Sequence, residues 1–300
     1  MTTDTQKTKK DLLTNLFIVS QYILPQHLLS RAVGYLARSE VTWLKNLLIK
    51  RFIRAFKVNM EDALISDPEQ FSCFNEFFCR QLKPAIRPIS DVVGGISSPA
   101  DGVFSQLGKI EGECIFQAKG HSFTCTELLG GQPSTAAQFE DGSFATIYLS
   151  PKDYHRLHMP VNGKLTQMTH VPGALFSVNA QTAASVPRLF ARNERLVCMF
   201  DTEHGPMAMV LVGAMIVASI ETVWAGLVAP RSSAVTTVDY QTPADIRLKQ
   251  GEEMGRFMLG STVVLLFPKG AANWLESIQP GQDVKMGELV AETCSHPCDF

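Results

Sequence analysis

The stretch Met207–Ile220 reads MAMVLVGAMIVASI; it decides the fold because it is strongly apolar and carries no charged side chain. A membrane-spanning helix needs about 20 mostly apolar residues, and these 14 are too few to cross a bilayer. Val and Ile, whose branched side chains favour strands, are frequent in it. We therefore interpret the stretch as a strand buried within a sheet.

Shorter apolar runs, divided by Gly, Pro and Asn, follow one another through most of the chain after about residue 90. The other candidate strands are Ser143–Leu149, Leu165–His170 and Thr262–Phe267. A helix is expected in this part only around Asn179–Ser185. Such spacing is typical of sheets packed on sheets.

Two short segments of this part resemble each other. Leu248–Glu252 reads LKQGE, and Val284–Glu288, 36 residues later, reads VKMGE. Each resembles the turn and strand of lipoyl- and biotinyl-carrier sandwiches, in which Gly permits a tight bend. The echo fits either two related hairpins of one sandwich or a coincidence.

The N-terminal part is basic and has helical periodicity. Residues 1–60 carry a net charge of +7 and residues 61–300 carry −9. In Val41–Lys57, apolar and basic side chains alternate at helical spacing: Leu44, Leu47, Leu48, Phe52 and Phe56 with Lys45, Lys50, Arg51 and Arg54. Such a helix suits a membrane interface, or it packs on its own domain. Leu12–Leu29 is interrupted by polar residues and Pro25, so we expect no membrane-spanning helix.

The composition indicates a globular protein. Hydrophobic residues make up 45% of the 300 and charged residues 19%, which argues against a disordered or fibrous chain. The net charge of −2 argues against a general nucleic-acid binder. Seven cysteines without small-scaffold spacing fit unpaired thiols in a reducing cytosol. We predict an α+β fold, with a helical, basic, membrane-docking region over residues 1–65 and a β-rich, sandwich-like core over residues 66–300.

Ser261 is a candidate nucleophile, since it follows a glycine and precedes a buried-looking strand. Gly255–Thr262 superficially matches a phosphate loop, but it lacks the lysine and the following helix that such a loop needs. A serine nucleophile requires a base and an orienting acid. His155 and His158 are the candidate bases and Asp101 the candidate acid. The alternatives are a turn-forming role for Asp101, and metal ligation or satisfied loop positions for the histidines.

The chain resembles the bacterial, pyruvoyl-dependent phosphatidylserine decarboxylases from about residue 60 to its end. The long histidine segment and the segment around Ser261 are the most specific matches. The residues that carry the resemblance are Phe74–Arg80 (FNEFFCR), Leu82–Pro84 (LKP), Ser98–Gly102 (SPADG), Tyr148–Pro160 (YLSPKDYHRLHMP), Leu175–Asn179 (LFSVN), Leu189–Arg195 (LFARNER), Glu221–Gly226 (ETVWAG) and Gly255–Thr262 (GRFMLGST). The N-terminus and Arg231–Asp245 match poorly.

The resemblance implies a proenzyme that cleaves itself between Gly260 and Ser261, into a larger chain (1–260) and a smaller one (261–300). It implies that His158 takes the Ser261 hydroxyl proton and that Asp101 fixes the His158 tautomer. Ser261 then becomes a covalent pyruvoyl group, the cofactor, which forms a Schiff base with the substrate amine. His155 matches the histidine of the decarboxylation step.

Ser177 matches a polar residue suggested for reprotonation. The resemblance further implies phosphatidylserine as substrate, phosphatidylethanolamine and carbon dioxide as products, and a peripheral site on the cytoplasmic side of the cell membrane. The expected partners are the anionic membrane surface and the protein's own two cleavage products as a heterodimer, with further dimerisation left open. Nucleic acid is not expected as a partner, given the net charge of −2. A metal is not expected either, since Cys294–Cys298 offers only three ligands.

Two other functions remain open at this stage. A conventional serine hydrolase would use the same Asp101, His158 and Ser261 but would remain one polypeptide. A non-catalytic, carrier-like sandwich would explain the repeated turn segments and would leave the two histidines without a function.

Overall fold

The computed structural model describes residues 14–215, 219–229, 233–241, 245–258 and 261–293. Helices dominate the N-terminal part, where residues 14–23 form α1. The other helices are α2 (Gln26–Ala37), α3 (Thr42–Phe56), α4 (Phe74–Phe78), α5 (Cys125–Leu128), α6 (Pro133–Ala136), α7 (Ala180–Ala183) and α8 (Leu189–Arg192).

Strands dominate the remainder. Those up to residue 171 are β1 (Gly95–Ser97), β2 (Gly102–Lys109), β3 (Cys114–Ala118), β4 (His121–Thr124), β5 (Ser143–Leu149), β6 (Arg156–His158) and β7 (Gly163–Val171). Those after it are β8 (Arg195–Thr202), β9 (Gly205–Val212), β10 (Ile220–Thr222), β11 (Gly226–Ala229), β12 (Thr236–Asp239), β13 (Arg247–Leu248), β14 (Glu253–Phe257), β15 (Ser261–Phe267), β16 (Asn273–Trp274), β17 (Asp283–Val284) and β18 (Leu289–Glu292).

The largest sheet has nine strands in the order β12-β7-β8-β9-β15-β5-β2-β17, with β13 also paired to β7. Its strand pairs are antiparallel. Two neighbouring sheets have the orders β11-β10-β14-β6 and β1-β18-β16. All seven residues of the central β15 are buried. The helical start and the antiparallel body confirm the predicted α+β class.

The decisive apolar stretch divides into two strands rather than one. β9 ends at Val212, residues 213–215 lie outside any strand, and β10 of the four-stranded sheet begins at Ile220. Gly213 falls at the end of β9, where a Cβ atom would lie 3.2 Å from the Glu194 carbonyl oxygen. The prediction of a buried strand is thus confirmed for Met207–Val212, but the prediction of a single strand as far as Ile220 is wrong.

The N-terminal helices pack on the body and still leave large apolar side chains exposed. α2 buries the small residues Ser30, Gly34 and Ala37, whereas α3 packs through Ile49 and Phe52. Lys45 of α3 is also buried and donates to the Glu69 carbonyl oxygen at 2.8 Å. Trp43 and Leu47 are 69% and 49% exposed. In the part of the protein that the structure describes, we find no helix both long and apolar enough to span a bilayer.

Candidate active site

Ser261 is the first residue of β15 and is fully buried. Its backbone pairs with Leu149 at the end of β5. Its hydroxyl oxygen has no hydrogen-bond partner among the described residues. Leaving a buried polar group unpaired costs about 1–3 kcal/mol, so such a group calls for a functional explanation. Gly260, on the other side of the expected cleavage bond, lies outside the described residues.

Backbone contacts at both ends tie the histidine segment, which joins β5 to β6, to the strands β14 and β15. At one end Ser261 pairs with the last residue of β5. At the other end the Phe257 N–H donates to the His155 carbonyl at 3.1 Å. The His158 N–H donates to the carbonyl of Pro99, two residues before the candidate acid. These backbone contacts link the segment that carries His155 and His158 to Ser261 at one end and to the turn that carries Asp101 at the other.

His158 is held as a neutral base. Its Nδ1 lies 2.8 Å from the Gly251 carbonyl oxygen, which can only accept, so Nδ1 carries the proton. The Nε2 lone pair of the neutral ring then faces the Tyr154 hydroxyl at 3.0 Å. Burial lowers the pKa of His158, although the Gly251 carbonyl and the Glu253 and Asp101 carboxylates act in the opposite direction. The ring is therefore able to accept a proton at Nε2.

His155 is buried completely and is also neutral. Its Nδ1 lies 2.9 Å from the Asp153 carbonyl oxygen, and its Nε2 has no partner among the described residues. The Phe78 ring covers it at a centroid distance of 4.1 Å. Burial, assisted by the nearby Arg80 guanidinium, lowers the pKa of His155 to about 3. His155 therefore presents a lone pair, without positive charge, inside a buried site.

Asp101 is the centre of a buried ionic cluster. Arg87 contacts both of its carboxylate oxygens, at 2.9 Å from Nε to Oδ1 and 2.6 Å from Nη2 to Oδ2. The Met286 N–H donates to Oδ1 at 2.9 Å, and Lys285 Nζ lies 3.6 Å from Oδ2. These contacts do not include His158. In the structure Gly251, and not Asp101, fixes the tautomer of His158, and Asp101 acts on that ring through space.

The two echoed sequence segments form the same turn. In each, the lysine N–H donates to the carboxylate of the glutamate three residues later, at 2.8 Å in Leu248–Glu252 and 2.9 Å in Val284–Glu288. Gly251 and Gly287 have φ values of +82° and +90°. This left-handed region favours glycine because a Cβ atom is strained there. The repeated sequence pattern therefore corresponds to a repeated turn structure.

Each of these turns supports one predicted site residue. The first turn presents the Gly251 carbonyl to His158. The second presents the Met286 N–H to Asp101. The base and the acid are therefore positioned by equivalent backbone elements from the two sides of the expected cleavage bond.

Ser177 lies near the same strand end and is half-buried. Its N–H donates to Gln21 Oε1 of α1 at 2.7 Å. The fully buried Asn193 donates, at 2.8 Å each, to the Gly213 carbonyl and to the carbonyl of the residue before Ser177. Because Thr262 pairs with Val212, the strand register places Gly213 beside Ser261. Ser177 is therefore fixed close to the strand end that carries Ser261.

Several of these supporting residues were not predicted. The Lys-x-Gly-Glu echo indicated the turns and so could have pointed to Gly251. Tyr154 and Asn193 fall inside the motifs that resemble the decarboxylases, where spacing alone gives them no role. Arg87 had no signal of its own, because only the folded protein brings it to Asp101.

The expected metal-free C-terminus, Cys294–Cys298, lies outside the described residues. Within the described ranges, no three His, Cys, Asp or Glu side chains form a group that could hold a metal ion. The five cysteines that the structure describes are unpaired, as the composition predicted.

Comparisons with known proteins cover nearly the whole sequence. The family model for phosphatidylserine decarboxylase matches residues 74–292, and a model described as PSD matches residues 16–57. A phosphatidylserine decarboxylase proenzyme of Stutzerimonas stutzeri is 58% identical over 279 residues, 92% of this protein and 94% of its own length.

Proenzymes of the same name from Pseudomonas putida and Bordetella avium are 57% and 55% identical. The alignments cover 93% and 94% of this protein and 98% and 96% of those relatives. The similarity therefore extends into the N-terminal helices, beyond the region from residue 60 on which the resemblance rested. On this similarity and on the family model that matches residues 74–292, the chain belongs to the phosphatidylserine decarboxylase family.

Proposed function

We propose that this protein decarboxylates phosphatidylserine to phosphatidylethanolamine and carbon dioxide, using a pyruvoyl group that it makes from its own Ser261. The observation that carries the proposal is the buried, unpartnered hydroxyl of Ser261. It lies at the start of a strand, in the site that also holds two neutral imidazoles. Ser261 suits conversion into a terminal ketone, because its side chain makes no hydrogen bond or ion pair among the described residues that the conversion would break.

Self-cleavage begins when His158 Nε2 takes the proton of the Ser261 hydroxyl, for which the Tyr154 hydroxyl must turn aside. The serine oxygen forms a bond to the Gly260 carbonyl carbon, the amide C–N bond breaks as the Ser261 nitrogen takes the proton from His158, and an ester with a free amine results. Loss of the Ser261 α-proton then breaks the bond between Cβ and Oγ and releases residues 1–260 with a carboxylate end. Water replaces the nitrogen of the resulting dehydroalanine, so ammonia leaves and a ketone caps residues 261–300.

Asp101 stabilises the imidazolium form of His158 during this transfer. It does so as a nearby negative charge, since Gly251 already holds the Nδ1 proton. The ion pair with Arg87 holds the carboxylate in place. An effect of this kind is strong in a buried site, where water screens charges poorly.

Decarboxylation uses the same pocket. The bound pyruvoyl group supplies an electron-withdrawing ketone that stabilises the carbanion left by loss of carbon dioxide. His155, held neutral by burial, offers no positive charge to stabilise the substrate carboxylate, so loss of that charge as carbon dioxide is favoured. In this proposal the Ser177 hydroxyl returns a proton to the carbon.

Residues 10–57 dock this enzyme on the cytoplasmic face of the cell membrane as a peripheral protein. The described helices of this region expose Ile23, Leu28 and Trp43 to 77%, 67% and 69%. Basic side chains, among them Arg51 and Arg54, are exposed on α3 beside Trp43 and Leu47. Apolar contact and attraction to anionic lipid act together in interfacial binding, and each basic residue near the surface adds about 1 kcal/mol.

Intact-mass measurement under denaturing conditions tests the self-cleavage. The parent should give two products, 1–260 and a ketone-bearing 261–300, which borohydride traps with the lipid. Ser261→Ala and His158→Gln should each give one uncleaved mass. Thr262→Val is the matched control, because Thr262 is the next residue and is also buried with an unpaired hydroxyl. It should cleave normally.

A single mass from active parent protein would overturn the proposal and would favour a serine hydrolase. A single mass without activity toward ester or lipid would favour the carrier-like sandwich. Membrane docking is tested separately, by sedimentation with phosphatidylserine-containing vesicles. Trp43→Gln with Leu47→Gln should lose binding, and Phe116→Gln, an exposed aromatic of the β3–β4 ribbon, should retain it.

A further inference from the structure

A groove of about 550 Å³ opens between the N-terminal helices and the body of the protein. Side chains of the α1–α2 junction form one wall, and the segment before Ser177 together with the end of α8 forms the other. The residues on which the argument depends are Tyr22, Leu24, Leu28, Phe176 and Arg192. Leu24 and Leu28 are 43% and 67% exposed, so the rim of the groove is apolar.

Arg192 places a positive charge inside this groove. Its guanidinium carbon lies 5.1 Å from the centre of the Phe176 ring and 5.7 Å from that of Tyr22. Among the described residues no carboxylate pairs with it and no side-chain hydrogen bond holds it. Arg188, one turn earlier, does pair with a carboxylate, Glu127, at 2.8 Å. The Arg192 donors are therefore free for an anionic ligand, and a planar guanidinium suits a phosphate group.

The groove adjoins the proposed catalytic centre. Asn193, the neighbour of Arg192, bonds to the carbonyls of both Phe176 and Gly213. Gly213 lies beside Ser261 through the register of β9 and β15. In a phosphatidylserine headgroup, only an oxygen, a methylene and the α-carbon separate phosphorus from the amine. A phosphodiester at Arg192 therefore suits an amine that reaches toward Ser261.

We propose that this groove binds the phosphodiester of a membrane phospholipid, with Arg192 as its charged contact and the apolar rim against the first acyl carbons. The proposal rests on the proposed function, since it names the headgroup subsite of that reaction. A lipid phosphodiester is favoured over free phosphate because the Arg192 guanidinium lies behind the exposed Leu24 and Leu28, on the side of the protein that carries the docking helices.

Binding of dihexanoylphosphatidylcholine to the full-length protein provides the test. Its quaternary nitrogen cannot condense with a ketone, so calorimetric titration measures phosphodiester binding apart from catalysis. Arg192→Gln should weaken binding by about tenfold or more, since a hydrogen bond to a charged group is worth that much. Arg188→Gln, which removes the same charge from the same helix, should bind as the parent does.

The KM for soluble dihexanoylphosphatidylserine should rise in Arg192→Gln, and self-cleavage should proceed as in the parent. Equal binding by Arg192→Gln and the parent would overturn the proposal, as would equal losses in Arg192→Gln and Arg188→Gln. Displacement of the lipid by inorganic phosphate at equal concentration would assign a free-phosphate site and would also overturn it. Parent protein that binds the choline lipid but forms no phosphatidylethanolamine would overturn the proposed function alone.

Discussion

Replacing Gly251 by alanine tests whether the first turn positions the base. The new Cβ atom would lie 2.6 Å from Ile89 Cγ1 and 2.9 Å from its Cδ1, closer than atoms can approach. Gly281→Ala is the matched control, because Gly281 has a φ of +91° and no atom within 4 Å of a Cβ. Both variants incur the left-handed strain, but only Gly251→Ala adds a steric overlap.

The strain at positive φ costs about 1–2 kcal/mol in each variant. The overlap with Ile89 adds roughly 1–3 kcal/mol. Since 1 kcal/mol lowers the melting temperature of a large domain by about 2–4 °C, Gly251→Ala should melt several degrees below Gly281→Ala. Melting is measured in the Ser261→Ala background, so that every variant is compared as a single uncut polypeptide.

Self-cleavage is measured in parallel, with Ser261 present, from the time course of intact masses after in vitro synthesis. Shifting the Gly251 carbonyl misorients His158, and a small misplacement of a catalytic group can slow a reaction by roughly tenfold to a hundredfold. Gly281→Ala should cleave at the parent rate. Equal rates and equal melting temperatures in both variants would refute the assignment of this turn as the support of the base.

Three further predictions concern buried groups. The folded pKa of His155, about 3, lies below the ordinary value of 6.5; the unfolded state therefore binds more protons between these values, and stability falls as pH falls. Between pH 6.5 and pH 5 the free energy of unfolding should therefore fall by about 2 kcal/mol more in the parent than in His155→Asn, as measured by denaturant titrations. Arg87→Met removes the guanidinium that contacts both oxygens of the buried Asp101 carboxylate and should cost about 3 kcal/mol or more, against less than about 1 kcal/mol for the exposed Arg188→Met; similar costs would argue against the cluster. Iodoacetamide should label exposed Cys114 in the native protein and Cys198, whose thiol pKa burial raises, only after unfolding.

The strands could be predicted where the apolar pattern is local. Ser143–Leu149 agrees with β5 at both ends, and Thr262–Phe267 differs from β15 by one residue. The prediction of one continuous strand over Met207–Ile220 was wrong, because hydrophobicity alone does not show where the backbone leaves one sheet for another. The burial of Lys45 could not be predicted from its helix, because its backbone partner, the carbonyl of Glu69, lies 24 residues away.

The candidate site was predictable as a set of residue types but not as a network. The resemblance identified Asp101, His158 and Ser261, and backbone contacts link the segments that carry them. It did not give the partners of each group, since Gly251 and Arg87 reach the site only through tertiary contacts. The expected Asp101–His158 hydrogen bond is replaced by two separate anchors.

The placement of the expected cut within the sheet explains how a single polypeptide could become two without coming apart. Cleavage before Ser261 would free the start of β15, but that strand is hydrogen-bonded to β5 on one side and β9 on the other and is buried throughout. Farther along, β18 pairs with β1, and the Met286 N–H bonds to Asp101. Asp101, the acid proposed to assist the cut, would thus also be a contact between the two products. A buried carboxylate shared in this way links the geometry of the site to the association of the products. Loss of Asp101 should therefore disturb the site and also weaken the association of the two products.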